Sequence, residues 1–347
     1  VPASTSGPRR WLPLAGLGLL LLALLAAHRY ADDYQIRILN NAAVFIIMAV
    51  SYNLIVGVCG QLHLGPNAFV TIGAYTAALL TLTPAEKTLN FIITPLMWPL
   101  DQLCAPFPVA LLAGGLMATV FAFLTGFPVL RVRGDYLAIV TLGFGEVVRV
   151  VANNWQSLTN GPLGLKGLAP RTTLWWSWGL AVLTVIVIVR LIRSRYGRAM
   201  QAIRNDEAAA QAMGVHPFQF LMTAFLVSAF FFGLAGGLLA HLITTISPSL
   251  FSFFLTFNVL MMIVVGGLGS TWGAVAAALL FTVGGELLRV VEEPFRWGPL
   301  ISPGVPGLRM VIFSCLLLAV IIFAPRGLWG RGGLAWPRFL RSRRSVP

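Results

Sequence analysis

Charge is what this sequence has least of. Only 10% of its 347 residues are Asp, Glu, Lys or Arg, against roughly 25% in soluble globular proteins, and that scarcity excludes water as the main solvent. Cysteine is nearly absent. Cys59, Cys104 and Cys315 lie in or beside apolar runs, lack the C-x-x-C spacing of a zinc or redox site, and read as core filler. The four histidines, His28, His63, His216 and His241, are scattered. The chain contains no G-x-x-x-x-G-K-[ST] phosphate loop, no H-E-x-x-H and no G-x-S-x-G, which argues against nucleotide hydrolysis or a hydrolytic centre within it. The expectation is therefore no enzyme, no catalytic residue, no metal site and no cofactor in this chain.

What is present is apolar: 58% of the residues are hydrophobic. Length alone would allow two or three soluble domains of about 100–200 residues, but charge-poor stretches recur at bilayer-crossing spacing, so one membrane-embedded body is the better reading. A spanning helix needs about 20 mainly apolar residues. Ten segments qualify: Trp11–Ala27, Ile38–Val58, Pro66–Leu82, Val109–Leu130, Asp135–Val151, Leu174–Ile192, Phe218–Leu242, Leu250–Val265, Trp272–Val290 and Leu308–Ala324. The first follows Arg9 and Arg10 and could pass for a signal peptide. It is long for one and lacks a clean small-x-small cleavage site, so it is kept as a spanning helix. The expected fold is an all-α polytopic membrane protein of about ten transmembrane helices. Residues 1–330 form the transmembrane domain and residues 331–347 a basic cytoplasmic tail.

The net charge of +13 is a topology signal rather than a nucleic-acid patch, because the basic residues sit between apolar runs and in the tail. Arg131, Arg133, Arg193, Arg195, Arg198 and Arg204 fall on one side with the tail arginines, whereas Asp32, Asp33, Glu86, Asp101, Glu292 and Glu293 fall on the other. Both termini are expected in the cytoplasm. Two long outer loops follow: Thr83 to Pro108, with five prolines and a re-entrant or interfacial stretch Phe91–Leu100, and Asn153 to Thr173, rich in Gly and Pro. Gly233 with Gly237, Gly273 with Ala277, and the run Ala74, Ala77 and Ala78 have the small-residue spacing of close helix packing. Ile55–Gln61 and Val264–Ser270 share a G-x-x-G at the end of an inward-running helix, a possible internal parallel repeat or a chance match.

Two features point beyond packing. Glu146 is an ionisable group inside a spanning segment, where charge is costly and marks a pathway or a partner. Arg149 lies one turn on, so the pair either neutralises itself or belongs to a translocation route. The inner loop Arg193 to Pro217 is rich in Ala and ends in Gly214 and Pro217, predicting a short exposed helix. Met200, Ile203 and Met213 give it an apolar aspect suited to a groove of another protein.

That loop, Gly197–Gly214, resembles the cytoplasmic EAA-type loop of ABC importer permeases. Arg131-Val132-Arg133-Gly134-Asp135-Tyr136-Leu137-Ala138-Ile139-Val140-Thr141-Leu142-Gly143-Phe144-Gly145-Glu146 resembles the block typical of branched-chain amino acid permeases of the LivM type. Gly60-Gln61-Leu62 with Gly73-Ala74-Tyr75, and Ser247-Pro248 with Gly266–Ser270, are similar to further blocks, so the likeness covers about residues 50 to 285. His63, Pro66 and Asn67 stand where the family usually reads Ser, His and Ala, and Glu207 falls one place early in the docking pattern.

The resemblance implies a permease for leucine, isoleucine or valine in the bacterial inner membrane. It would pair with a homologous second permease, two cytoplasmic ATPase subunits that carry ATP and Mg, and an external binding protein. It implies an ATPase-coupling loop built on Gly197, Arg198, Arg204, Asp206, Glu207, Ala208, Ala209 and Gly214. Residues expected along the path are Gln61, Tyr75, Asp135, Tyr136, Thr141 and Glu146. Competing readings are a permease for urea, short-chain amides or another small polar solute, and an ion-coupled secondary transporter.

Overall fold

The computed structural model describes residues 24–288 apart from 28, 93 and 133, then residues 295–297, 300–302 and isolated positions between 307 and 322. The expected segments Trp11–Ala27 and Leu308–Ala324 lie largely outside the described residues, and the tail 331–347 wholly so. The body is helical. The helices are α1 (Asp33–Asn53), continued by a π-turn over Leu54–Val58, α2 (Pro66–Thr81), α3 (Pro84–Asn90), α4 (Phe107–Val129), α5 (Asp135–Asn154) and α6 (Gln156–Thr159). They are followed by α7 (Leu174–Arg193), α8 (Arg195–Asn205), α9 (Glu207–Ala212), α10 (Pro217–Ile243), α11 (Phe253–Gly266) and α12 (Thr271–Leu287). Phe295–Trp297 pairs antiparallel with Leu300–Ser302 as a small β-ribbon.

Five helices among the described residues are long and apolar enough to cross a bilayer: α1 with its π-turn, α4, α5, α7 and α10. The expected spans at Pro66–Leu82, Leu250–Val265 and Trp272–Val290 correspond to shorter helices. α11 has 14 residues, about 21 Å at 1.5 Å per residue, less than a hydrocarbon core of about 30 Å. Its start is displaced because Pro248 opens a 3₁₀ turn over Pro248–Phe251 and Ser252 is extended. A hydrophobic stretch shorter than the hydrocarbon core is accommodated by local thinning of the bilayer or by association with neighbouring helices.

The centre is a three-helix crossing built on glycine. A Cβ at Gly73 of α2 would run into the backbone of Gly233 in α10, one at Gly236 into the Val70 carbonyl, and one at Gly114 of α4 would lie 2.8 Å from the Gly73 oxygen. In lipid, where there is no hydrophobic drive between helices, this close approach supplies the association energy. α1 is the most enclosed span, whereas α5 and α7 are peripheral. Polar clasps fix the rest: Ser177 donates to Asn40 Oδ1 at 2.6 Å, and the Asn40 amide donates to the Thr172 carbonyl at 3.2 Å, tying α7 to α1.

Both outer loops are anchored. Thr83 and Glu86 form a reciprocal capping box at the start of α3. Among the described residues of Phe91–Leu100 there is no helix, only bends and a turn at the end. The excursion is held instead by Lys87, which is buried and donates from Nζ to the carbonyls of Leu100, at 2.7 Å, and Leu103. Burial lowers the Lys87 pKa. In the second loop Leu165 bridges to Ile246, and His241 lies between Thr81 Oγ1, at 3.0 Å, and the Ala169 carbonyl, at 2.9 Å. Of the cysteines, Cys59 is buried as expected, but Cys104 and Cys315 are exposed, so only one serves as core filler.

Candidate functional site: the inner loop and the faces of α2 and α5

The inner loop is two helices rather than one. Asp206 interrupts it with an extended backbone and caps α9, its Oδ1 accepting from the Ala209 N–H at 3.0 Å. A helix interior disfavours Asp, while an N-cap rewards it. Ser194 caps α8 in the same way, accepting from Tyr196 and Gly197. The apolar residues of the loop divide between two tasks. Met200 and Ile203 are buried against the body of the same chain and root α8 there, which corrects the expectation that they face a partner; Met213 is 84% exposed.

The remaining loop residues fall into place around this division. Gly197 packs so tightly on the end of α7 that a Cβ would strike the Ile192 backbone. Arg198 is exposed and donates to the Arg193 carbonyl at 3.4 Å. Arg204 turns inward, donating from Nη1 to the Gly57 carbonyl in the π-turn. Glu207 accepts from the Gln211 amide at 3.1 Å. Ala208 and Ala209 are exposed, and Gly214 has a φ of +81° that favours glycine, with open space around it.

A cavity of about 280 Å³ opens beside this loop, lined in part by Gln61, Arg131, Glu207, Gln211 and Phe218. It brings Gln61, expected on the path, next to Glu207 of the coupling loop and Arg131 of the sequence block before α5. The other expected path residues do not join them. Asp135 begins α5, Tyr136 is 73% exposed on its outer side, and Thr141 is buried, accepting from the Leu64 N–H at 2.9 Å. Glu146 is paired with Arg149, Oε2 to Nη2 at 2.7 Å.

Tyr75 belongs to a line that the sequence reading missed. Asn67, Thr71 and Tyr75 recur every fourth residue along α2, the spacing of one helical face, and His63 stands four residues earlier in the non-helical segment that leads into it. All four are buried, and His63 Nε2, Asn67 Oδ1 and the Tyr75 hydroxyl have no hydrogen-bond partner among the described residues. Asn67 Nδ2 donates to the Phe251 carbonyl at 3.2 Å, and Tyr75 meets the edge of the Phe251 ring. The four-residue spacing was the available signal, hidden because two members occupy positions where the resembling family has other residues.

The chain matches, over residues 34–324, the family described as the permease component of the branched-chain amino acid transport system. It belongs to that family. The permease is 34% identical to the high-affinity branched-chain amino acid transport system permease protein LivM of Escherichia coli, the match covering 94% of this chain and 79% of the relative. It is 34% identical to the LivM protein of Salmonella typhimurium, covering 85% of this chain and 69% of that relative. The probable LivM permease of Methanocaldococcus jannaschii is 21% identical over 61% of the permease and 66% of its own length. No solved structure matches.

Proposed function

We propose that the permease carries leucine, isoleucine and valine into the bacterial cytoplasm as one membrane subunit of an ATP-binding cassette importer. The observation that carries the reading is the construction of the inner loop: α8 is rooted in the bundle by Met200 and Ile203, and α9 with its C-cap presents Ala208, Ala209 and Met213 outward. An elbow with one arm buried and one small-faced arm exposed is suited to receive a push from a cytoplasmic partner. Family membership supports the same reading.

In this assembly ten spanning helices leave both termini in the cytoplasm, residues 1–330 form the membrane domain, and 331–347 are a basic tail. A homologous second permease completes the passage. Two ATPase subunits hydrolyse ATP with Mg, and an external binding protein delivers the solute, so no catalysis takes place in this chain. The passage runs along the polar face of α2 and along α5, with Gln61, Tyr75, Asp135, Tyr136, Thr141 and Glu146 contributing as the helices rock between inward- and outward-open states. An equilibrium shifts only through differential contacts, and those are made at α9.

The test is uptake of radiolabelled leucine into vesicles containing the full importer. Uptake should require ATP and the ATPase subunits, and Glu207→Lys or Ala208→Trp should leave the protein in the membrane while uncoupling ATP hydrolysis from uptake. Leucine entry driven by an ion gradient without those subunits would overturn the proposal.

A further inference from the structure

The two G-x-x-G ends that echo each other in sequence touch each other in the fold. Gly57 lies in the π-turn after α1 with Gly60 two residues beyond it, and Gly266 and Gly269 flank the turn between α11 and α12. Asn53 Oδ1 accepts from the Gly269 N–H at 2.8 Å, joining the two elbows directly. Gly60 has a φ of +74° and Gly269 one of +88°.

Into this junction comes Arg204 from α8. Its Nη1 donates to the Gly57 carbonyl, at the C-terminal end of α1 where helix carbonyls lack intrahelical partners and the helix dipole favours a cation. The fit depends on glycine on both sides. A Cβ at Gly60 would lie 2.7 Å from Arg204 Cγ, and one at Gly269 would lie 3.0 Å from Nη1. Single π-turns within α-helices are frequent at functional sites. α1 and α12 also pack on each other, so what moves the junction moves the enclosed core of the subunit.

We infer that Arg204 is a positioning residue for transport, a latch through which displacement of the α8–α9 elbow is passed to α1 and to the α11–α12 turn together. The inference rests on the docking reading of the loop, and deepens it by naming where the push enters the bundle. Removing the guanidinium leaves α9 free to engage the ATPase subunits while the core no longer follows. A lysine keeps a cation at the helix end but loses the planar guanidinium that packs between Gly57 and Gly269.

The experiment uses the whole importer in vesicles with excess binding protein, with Cys104 and Cys315 replaced by Ser so that the buried Cys59, next to the π-turn, is the reporting thiol. In Arg204→Met, leucine transported per ATP hydrolysed should fall about tenfold, the scale of a lost charged hydrogen bond. Arg204→Lys should fall in between, and Gly269→Ala, which crowds the guanidinium without removing it, should also lower the ratio. Maleimide labelling of Cys59 should change on vanadate trapping in wild type and stay unchanged in Arg204→Met. An unaltered transport-to-ATP ratio in Arg204→Met, whatever its yield, would overturn the latch, as would a wild-type Cys59 response in that variant. Failure of the wild-type permease to hold its ATPase subunits would instead remove the docking reading, and the latch with it.

Discussion

Arg149 reaches back one turn along α5 to place Nη2 2.7 Å from Oε2 of Glu146, with each side chain about a third exposed. The pair sits on a peripheral span of this subunit. Lipid accommodates such a pair poorly, so the face it occupies is suited to a water-filled passage or another subunit.

Glu146→Gln should leave Arg149 without its carboxylate and lower leucine uptake about tenfold or more, with normal amounts of protein in the membrane. The exchange Glu146→Arg with Arg149→Glu separates two roles. If the pair only neutralises itself, the exchange restores uptake; if α5 lines the route, it does not. Immunoblots of membranes alongside uptake rates decide it.

The glycine crossing of α2 and α10 predicts a sharp contrast. Gly73→Val drives a side chain into the Gly233 backbone and should cost at least ~1–3 kcal/mol, read as a lower melting temperature in detergent. Gly179→Ala in α7, where nothing lies within 4 Å of the new methyl, should be neutral or stabilising by up to ~1 kcal/mol.

At the outer loop, Thr83→Ala removes the α3 cap and should cost about 1 kcal/mol of local stability, measured as faster amide exchange over residues 84–90. The Thr83 N–H and hydroxyl, bonding Glu86 Oε2 at 2.8 and 2.9 Å, hold the Glu86 pKa below its usual range. A depressed carboxyl pKa contributes stability above the unfolded value and loses it as pH falls through the folded one. Protection of α3 should therefore fall on acidification in wild type and be less pH-dependent in Thr83→Ala.

Asn67→Ala deletes both the bond to the Phe251 carbonyl and a carbonyl oxygen without a partner among the described residues. Loss of the bond should cost ~0.5–1.5 kcal/mol. If the polar face of α2 contacts solute, the maximal rate of leucine uptake should also fall at saturating binding protein, with solute-independent ATP hydrolysis unchanged. Equal losses in both would assign Asn67 to packing alone.

Legibility varied by residue. The starts and ends of α4, α5, α7 and α10 came within a few residues of expectation, because a bilayer imposes length and apolarity that a window of sequence can display. α11 and α12 fell short, at 14 and 17 residues, and for α11 the Pro248 turn and the extended Ser252 delay the start. At the loop, alanine content concealed the break that Asp206 makes, although Asp as an N-cap is a local signal. Met200 and Met213 looked alike in sequence and lie at opposite extremes of burial, because Met200 is on the side of α8 that meets the bundle while Met213 lies at the C-terminal end of α9.

The sequence by itself determined the solvent, the helical class, the absence of a nucleotide loop and the family, because these depend on composition, periodicity and short motifs. Tertiary structure alone decided that Arg204 meets Gly57 across 147 positions, that two glycine elbows join through Asn53, and that His63, Asn67 and Tyr75 are enclosed without full hydrogen bonding. The physical reason is range. Hydropathy and capping act within a turn or two of the chain, whereas these contacts depend on how closely distant backbones can approach, and glycine permits that approach without naming its partner.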